Sequence, residues 1–195
     1  MTATPCPTLK KKQASRHEEF KSPKTGNVFS IRPWKAQDRD AVASIISSTL
    51  QEYGLLFDDE GADKDAVQVE TFYENNGGEF YVVTTGSTIV GSGGFLPAKC
   101  EGGNVKAVEI RKMYLDRRWR GNGLGKRLLA FLEKRVRTRG YSVALVETAN
   151  VLKEACGLYV ACGYREGWPD ECGEGETARC DAIYSKVLED EDTIS

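Results

Sequence analysis

Apolar residues recur along this chain with two different periods, and the switches between them outline one α/β domain. Residues 28–34 alternate as a strand. From Asp38 onward, Val42, Ile45, Ile46, Leu50 and Tyr53 fall on one face of a helix. Residues 54–74 read as a loop with a less regular helix. Two strand runs, 80–84 and 88–96, meet about Gly86 as a hairpin, and 105–115 adds a third consecutive strand. Leu124, Leu128, Phe131, Leu132 and Val136 then line one helical face, which Gly140 closes at the position after the C-cap. Residues 142–148, SVALVET, read as a buried strand, and 150–163 as a short helix capped by Asn150 and closed by Gly163. A polar loop over 167–177 leads to a final strand over 179–187. This order predicts an α/β fold with a single mixed, largely antiparallel β-sheet flanked by helices. There is no internal repeat and no sign of a second domain.

One strand breaks its own rule. In Val108-Glu109-Ile110-Arg111-Lys112-Met113-Tyr114-Leu115 the apolar parity is even at Val108 and Ile110 and odd at Met113 and Leu115. A period of two cannot change phase without an extra residue. Either a bulge near Arg111 or Lys112 splays the strand from its neighbour, or this is an edge strand with a polar insertion.

Just downstream lies Arg120-Gly121-Asn122-Gly123-Leu124-Gly125-Lys126, between that strand and the amphipathic helix. Glycines let the main chain approach an anion, and the helix start contributes orphan N–H groups and a positive dipole end. A P-loop would need Gly at Arg120 and Ser or Thr at Arg127. A dinucleotide fingerprint would need a small residue at Lys126 or Leu128. Neither spacing is met. Arg-x-x-Gly-x-Gly, at Arg120, Gly123 and Gly125, resembles the acyl-CoA signature of the GNAT superfamily of N-acetyltransferases. A plain glycine turn joining strand to helix is the alternative.

The segment from Asn150 to Tyr164, with its Asn, Ala, Leu-Tyr and closing Gly-aromatic pair, resembles the second conserved GNAT segment. The resemblance runs from about Phe29 to Leu188, is specific from Glu109 to Tyr164, and looks like the bacterial-type small-substrate branch. It implies an acetyl-CoA-dependent N-acetyltransferase acting by direct attack in a ternary complex on a primary amine of a small molecule or amino-acid-like acceptor. It implies an acetyl-CoA site at Met113, Tyr114, Leu115, Arg120, Gly121, Asn122, Gly123, Leu124, Gly125, Lys126 and Asn150. In that family a strand splay admits the pantetheine arm, and Tyr159 sits where a tyrosine reaches the CoA sulfur. On residue type alone Tyr159 is core, and Asn150 a helix cap.

Amine acetylation needs a neutral nitrogen, so a carboxylate must take a proton from an ammonium of pKa ~10. Glu109 is the first candidate base and Glu147 the second; either could instead only hydrogen-bond the acceptor. A backbone N–H near residues 113–115, freed by the bulge, would polarise the thioester carbonyl.

Charge sharpens this picture. The net charge of −2 hides eleven Lys or Arg between Arg111 and Arg139, against Asp116 and Glu133. Arg117, Arg118, Arg120, Lys126 and Arg127 would draw in a phosphorylated ligand. No aromatic platform interleaves with these cations, so nucleic acid is not expected as a partner. The acidic run at Asp58, Asp59, Glu60 and Asp63 would attract a cationic amine, or is simply solvated.

His17 is the sole histidine, in a segment read as tail, which excludes Ser-His-Asp and Cys-His catalysts and histidine metal sites. Cys6, Cys100, Cys156, Cys162, Cys172 and Cys180 lack Cys-x-x-Cys spacing; no metal is expected, and reduced thiols are the default. With 40% apolar residues among 195, one domain can bury roughly 70% of its unfolded surface. The expected organisation is a disordered basic N-terminal tail (1–27), an N-acetyltransferase domain (28–188) and an acidic C-terminal tail (189–195). No apolar run approaches ~18 residues and no signal-peptide pattern appears, so no membrane and a cytoplasmic location are expected. Lys10, Lys11 and Lys12 leave an organellar address open, and a homodimer is compatible with the sequence. Other classes remain: a non-catalytic acyl-CoA sensor on the same fold, or a phosphate-binding adaptor.

Overall fold

The computed structural model describes residues 15–101, 105–172 and 180–188. Its strands are β1 (Glu18–Lys21), β2 (Val28–Pro33), β3 (Glu79–Thr85), β4 (Thr88–Pro97), β5 (Ala107–Leu115), β6 (Val143–Thr148), β7 (Arg165–Glu166) and β8 (Ala182–Val187). Its helices are α1 (Arg39–Glu52), α2 (Lys64–Val67), α3 (Val69–Phe72), α4 (Leu124–Thr138) and α5 (Lys153–Ala161). The strands form one eight-stranded sheet in the order β1-β2-β3-β4-β5-β6-β8-β7. Only β5 and β6 run parallel, with the chain between them crossing through α4.

Both faces of the sheet are covered. Val42, Ile46 and Leu50 of α1 and Val69 of α3 pack with Phe80 and Val82 on one face. Leu124, Leu128, Phe131, Leu132 and Val136 of α4 and Tyr159 of α5 pack with Phe29, Ile31, Val108, Ile110 and Val146 on the other. This explains why β3 is buried at six successive positions rather than alternately. Arg135 is buried on this side because Glu79 of β3 receives it, with Nε and Nη2 donating at 2.9 and 2.8 Å. A fully paired cation inside the sheet–helix seam avoids the cost of an isolated one.

Three expectations are corrected here. The segment read as tail supplies β1, because Phe20 stacks on Phe29 with ring centroids 5.8 Å apart and Glu18–Lys21 pairs antiparallel with Val28–Ile31. His17 likewise reaches Ser30, with Nε2 and Oγ 2.8 Å apart. The tail residues 1–14 and 189–195 lie outside the described residues. Residues 54–74 fold as two one-turn helices, α2 and α3, rather than one. Finally, Cys100 and Cys172 form a disulfide that joins the segment after β4 to the turn before β8, so the thiols are not all reduced. Among the described residues Cys156, Cys162 and Cys180 take part in no disulfide, and Cys6 lies outside the described residues.

Candidate active site

The phase slip in β5 is a bulge. Gly91 and Ser92 face Leu115 and Tyr114, but Gly94 faces Arg111, so two steps on β4 answer three on β5. The extra residue turns at Lys112, whose φ of +54° is left-handed, a conformation that costs a side-chain-bearing residue ~1 to 2 kcal/mol. Ser92 stabilises it by donating from its hydroxyl to the Lys112 carbonyl at 3.0 Å. On the other flank, β6 pairs with β5 only from Ala107–Val143 to Ile110–Val146. Beyond Ile110 the two parallel strands separate, and the β5–β6 ladder does not extend to residues 111–115. A wedge therefore opens in the middle of the sheet.

The glycine corner sits at the mouth of that wedge. Gly121 and Gly123 have φ of +77° and +80°, which only glycine adopts without strain, and Gly123 is the N-cap of α4. Gly125 is needed for a different reason: a Cβ there would lie 3.1 Å from Leu158 Cδ2 of α5. The first rung of α4 is Arg127 N–H to the Gly123 carbonyl at 3.1 Å. The amides of Leu124, Gly125 and Lys126 precede it, leaving them for an anion.

Wedge and corner together enclose a cleft of about 550 Å³. Met113, Tyr114 and Leu115 form one wall, residues 120–126 apart from Asn122 the mouth, and Leu152, Ala155, Leu158 and Tyr159 of the α5 region the other wall. Thr49 and Tyr53 reach it from α1, and the Tyr53 hydroxyl donates to Glu154 of α5 at 2.7 Å. Tyr159 is buried against Tyr164 and Tyr184, at 5.6 and 6.1 Å between ring centroids. Burial, with neighbouring Tyr114 adding, drives its phenol pKa well above the usual value, so it keeps its proton throughout the physiological range.

The opposite face of β5 carries a dense ionic cluster. Alternation sends Val108, Ile110, Met113 and Leu115 towards α4, and Glu109 and Tyr114 towards α1. The Lys112 ammonium is bound by the Ala62 carbonyl at 2.7 Å, by Asp63 Oδ1 at 2.8 Å and by Asp65 Oδ1 at 3.1 Å. Arg111 Nε lies 3.1 Å from Glu109 Oε1 and 3.6 Å from Asp65 Oδ2, and the Tyr73 hydroxyl donates to Asp65 Oδ2 at 2.8 Å. Burial pushes Glu109 up to about 7; Arg111 opposes that rise and Glu147 adds to it.

The sequence model of the acetyltransferase (GNAT) family matches residues 43–164. The chain belongs to the GNAT acetyltransferase family. It is 33% identical over 137 residues to the uncharacterized N-acetyltransferase YjgM of Escherichia coli (strain K12), covering 69% of this chain and 80% of that protein. Among solved structures, a GNAT-family acetyltransferase from Staphylococcus aureus Mu50 superposes with a TM-score of 0.72 at 20% identity, over 83% of this chain and 99% of that one. An acetyltransferase from Salmonella typhimurium, solved with its cofactor acetyl-CoA, superposes with a TM-score of 0.64 at 18% identity, over 83% and 94% of the two chains. The protein is accordingly an acetyl-CoA-dependent N-acetyltransferase, and the chemistry of the cleft can be compared with that cosubstrate. The α4 amides and helix dipole suit a pyrophosphate, the strand edge where β5 parts from β6 suits the amides of pantetheine, and apolar walls suit its methylenes. Bound there, the cosubstrate supplies an activated acetyl thioester.

The cleft gathers most of the residues that the sequence singled out. Met113, Tyr114, Leu115, Arg120, Gly121, Gly123, Leu124, Gly125, Lys126 and Tyr159 all line it. Asn150 does not, nor does it cap α5, whose N-cap is Leu152. Its backbone N–H and side-chain amide both bind Asp181, at 2.6 and 3.0 Å, anchoring the chain to the approach of β8. Asn122 lies in the corner with its side chain turned outward, accepting from Thr25 and donating to the Trp119 carbonyl. Glu109 and Glu147 stand in the ionic cluster rather than in the cleft lining, and Glu147 acts electrostatically on both Glu109 and Arg111.

Several cations expected on phosphate are otherwise committed. Arg120 donates to the Leu115 carbonyl at 3.0 Å and pairs with Glu52 at 2.7 Å, making it a strut between the corner, β5 and α1. Arg118 pairs with Asp116 at 2.6 Å, and Arg127 pairs with Glu18. Asp63, expected to attract an amine, already holds Lys112. Sequence reasoning missed Lys24 and Thr49 in the lining. Lys24 sits in a stretch whose composition resembles a linker, and only the pairing of β1 brings it in.

Proposed function

We propose that this GNAT enzyme acetylates a primary amine of a small, cationic or amino-acid-like acceptor by direct attack within a ternary complex. The observation that supports the reading is the position of two titratable side chains, Tyr159 and Glu109, about one strand. Tyr159 lines the cleft on the α5 side, and Glu109, with its pKa lifted to about 7, stands at the same strand's α1-facing side. Glu109, or Glu147 through it, takes a proton from the acceptor ammonium. The freed nitrogen attacks the thioester carbonyl carbon, the new C–N bond forms and the C–S bond breaks. Tyr159 gives its proton to the departing sulfur, and the second proton shed by the acylated nitrogen, which leaves a neutral amide, restores the phenol. A backbone N–H of β5 beyond Ile110, where the strand parts from β6, stabilises the developing oxyanion. Four carboxylates, Asp63, Asp65, Glu109 and Glu147, against two cations, Arg111 and Lys112, give the acceptor side a negative balance suited to an ammonium.

One observation favours a second reading: chain cations already hold Asp63, Asp65 and Glu109, as they would in an acyl-CoA sensor without an acceptor. Thiol release measured with acetyl-CoA against a panel of amines, amino acids and peptide N-termini decides between them. Turnover with at least one acceptor, lost in Glu109→Gln, supports the enzyme. Acetyl-CoA binding without turnover across the panel supports the sensor.

A further inference from the structure

We propose that Lys24, in the turn between β1 and β2, is a ligand for the pyrophosphate of acetyl-CoA. This rests on the reading of the cleft as the acetyl-CoA site. The turn lies outside residues 43–164, the part that matches the family, yet it is built into the phosphate corner. Thr25 donates from its hydroxyl to Asn122 Oδ1 at 2.8 Å, and the buried Ser22 hydroxyl donates to the same oxygen at 3.3 Å. Asn122 is the residue between the two left-handed glycines, so the hairpin grips the corner at its centre. Next to it, Glu18 pairs with Arg127 on the first turn of α4, and the Arg127 guanidinium lies 5.3 Å from the Phe20 ring centroid. The Lys24 backbone N–H donates to Ser22 Oγ at 3.3 Å, a local turn that fixes where its side chain leaves the chain. Lys24 lines the cleft together with Gly121, Gly123 and Lys126.

Charge points the same way. Arg120 is committed to Glu52, so among the described residues Lys24 and Lys126 are the cations in the cleft lining without an acidic partner. They stand on the two sides of the corner: Lys126 on α4, Lys24 on the hairpin. A pyrophosphate bridging two strands of chain would then meet one ammonium from each, besides the α4 amides.

The test is calorimetric titration of wild type, Lys24→Ala, Lys24→Glu and Lys21→Ala with acetyl-CoA, 3′-dephospho-acetyl-CoA and S-acetylpantetheine. The expected result is that Lys24→Ala weakens both nucleotide thioesters about fivefold and equally, Lys24→Glu weakens them further, and S-acetylpantetheine is unaffected. Lys21→Ala, an exposed charge on the same hairpin, should bind as wild type does. Equal affinities for wild type and Lys24→Ala would overturn the assignment, as would a loss confined to the ligand that carries the 3′-phosphate. Failure of wild type to bind acetyl-CoA at all would overturn the reading of the cleft itself.

Discussion

Lys112 Nζ lies 2.8 Å from Asp63 Oδ1, and this contact fastens the kink of β5 to the loop that precedes α2. The lysine does two incompatible-looking things: it adopts a left-handed backbone that suits glycine, and it buries its ammonium. The ion pair reconciles them, because the bulge aims the side chain at Asp63 and Asp65. Removing the ammonium takes a close counter-ion from buried Asp63 and Asp65, a loss typically of ~3 to 5 kcal/mol. Lys112→Ala should therefore lower the Tm by about 10 °C in a chain of this size. Lys112→Gly should be the milder change by ~1 kcal/mol, because it relieves the backbone. Thermal scans of the two variants check both statements; equal stability of Lys112→Ala and wild type would show that the contact contributes nothing.

Glu109 predicts a pH profile. Its carboxyl is lifted from 4.5 to about 7, first by burial, so the base role proposed for it requires a pH at which that proton is gone. Activity should rise with pH through about 7 and lose that limb in Glu109→Gln, with kcat falling on the order of 10²-fold or more. Stability should move the other way. A raised carboxylate pKa means that the fold favours the proton, so this group's stabilisation is complete below 4.5 and is lost as pH rises through about 7. Wild type should thus lose more Tm than Glu109→Gln between pH 5 and 8. A rising limb that survives in Glu109→Gln and disappears in Glu147→Gln would transfer the role.

Tyr159 tests the other proton. Its phenol is held neutral by burial, which suits an acid for a departing thiolate but would equally suit a core tyrosine. Tyr159→Phe preserves the ring packing on Tyr164 and Tyr184. It should lower kcat roughly 10- to 100-fold while leaving the Kd for acetyl-CoA within about twofold. A thioester with a more acidic leaving thiol should recover most of that loss. Unchanged kcat with acetyl-CoA would assign Tyr159 to packing alone.

How much of this was legible follows from the range of each interaction. The bulge was readable because β-strand parity is strictly local: Val108 and Ile110 against Met113 and Leu115 located it to within a residue of Lys112. Gly121, Gly123, Gly140 and Gly163 were readable because a left-handed φ selects glycine whatever surrounds it. The pairing of Arg120 with Glu52 was not readable, because the two are 68 residues apart and only the packing of α1 brings them together. The same holds for Lys112 and Asp63, for Asn150 and Asp181, and for Cys100 and Cys172, where no spacing rule announces the pair. Lys24 was hidden for a related reason: β1 has four residues and little apolar pattern of its own, and it becomes a strand only against β2.

The Cys100–Cys172 disulfide makes the last prediction. It closes a separation of 72 residues and pins the segment after β4 to the turn before β8, where the Glu101 N–H also donates to the Glu171 carbonyl at 2.5 Å. Trp168, in the same loop, donates from Nε1 to the Val146 carbonyl at 3.4 Å, on the residue that forms the last rung between β5 and β6. The crosslink thus steadies one shoulder of the wedge, on the side of the ionic cluster rather than of the glycine corner. Reduction, or Cys100→Ser, should lower stability by ~2 to 4 kcal/mol, and it should raise the KM for the acceptor more than the Kd for acetyl-CoA. Differential scanning calorimetry with and without reductant reads the first effect, and steady-state kinetics with both substrates varied reads the second. If acetyl-CoA affinity fell in step with acceptor affinity, the crosslink would be supporting the whole wedge, and the separation of its two sides would have to be abandoned.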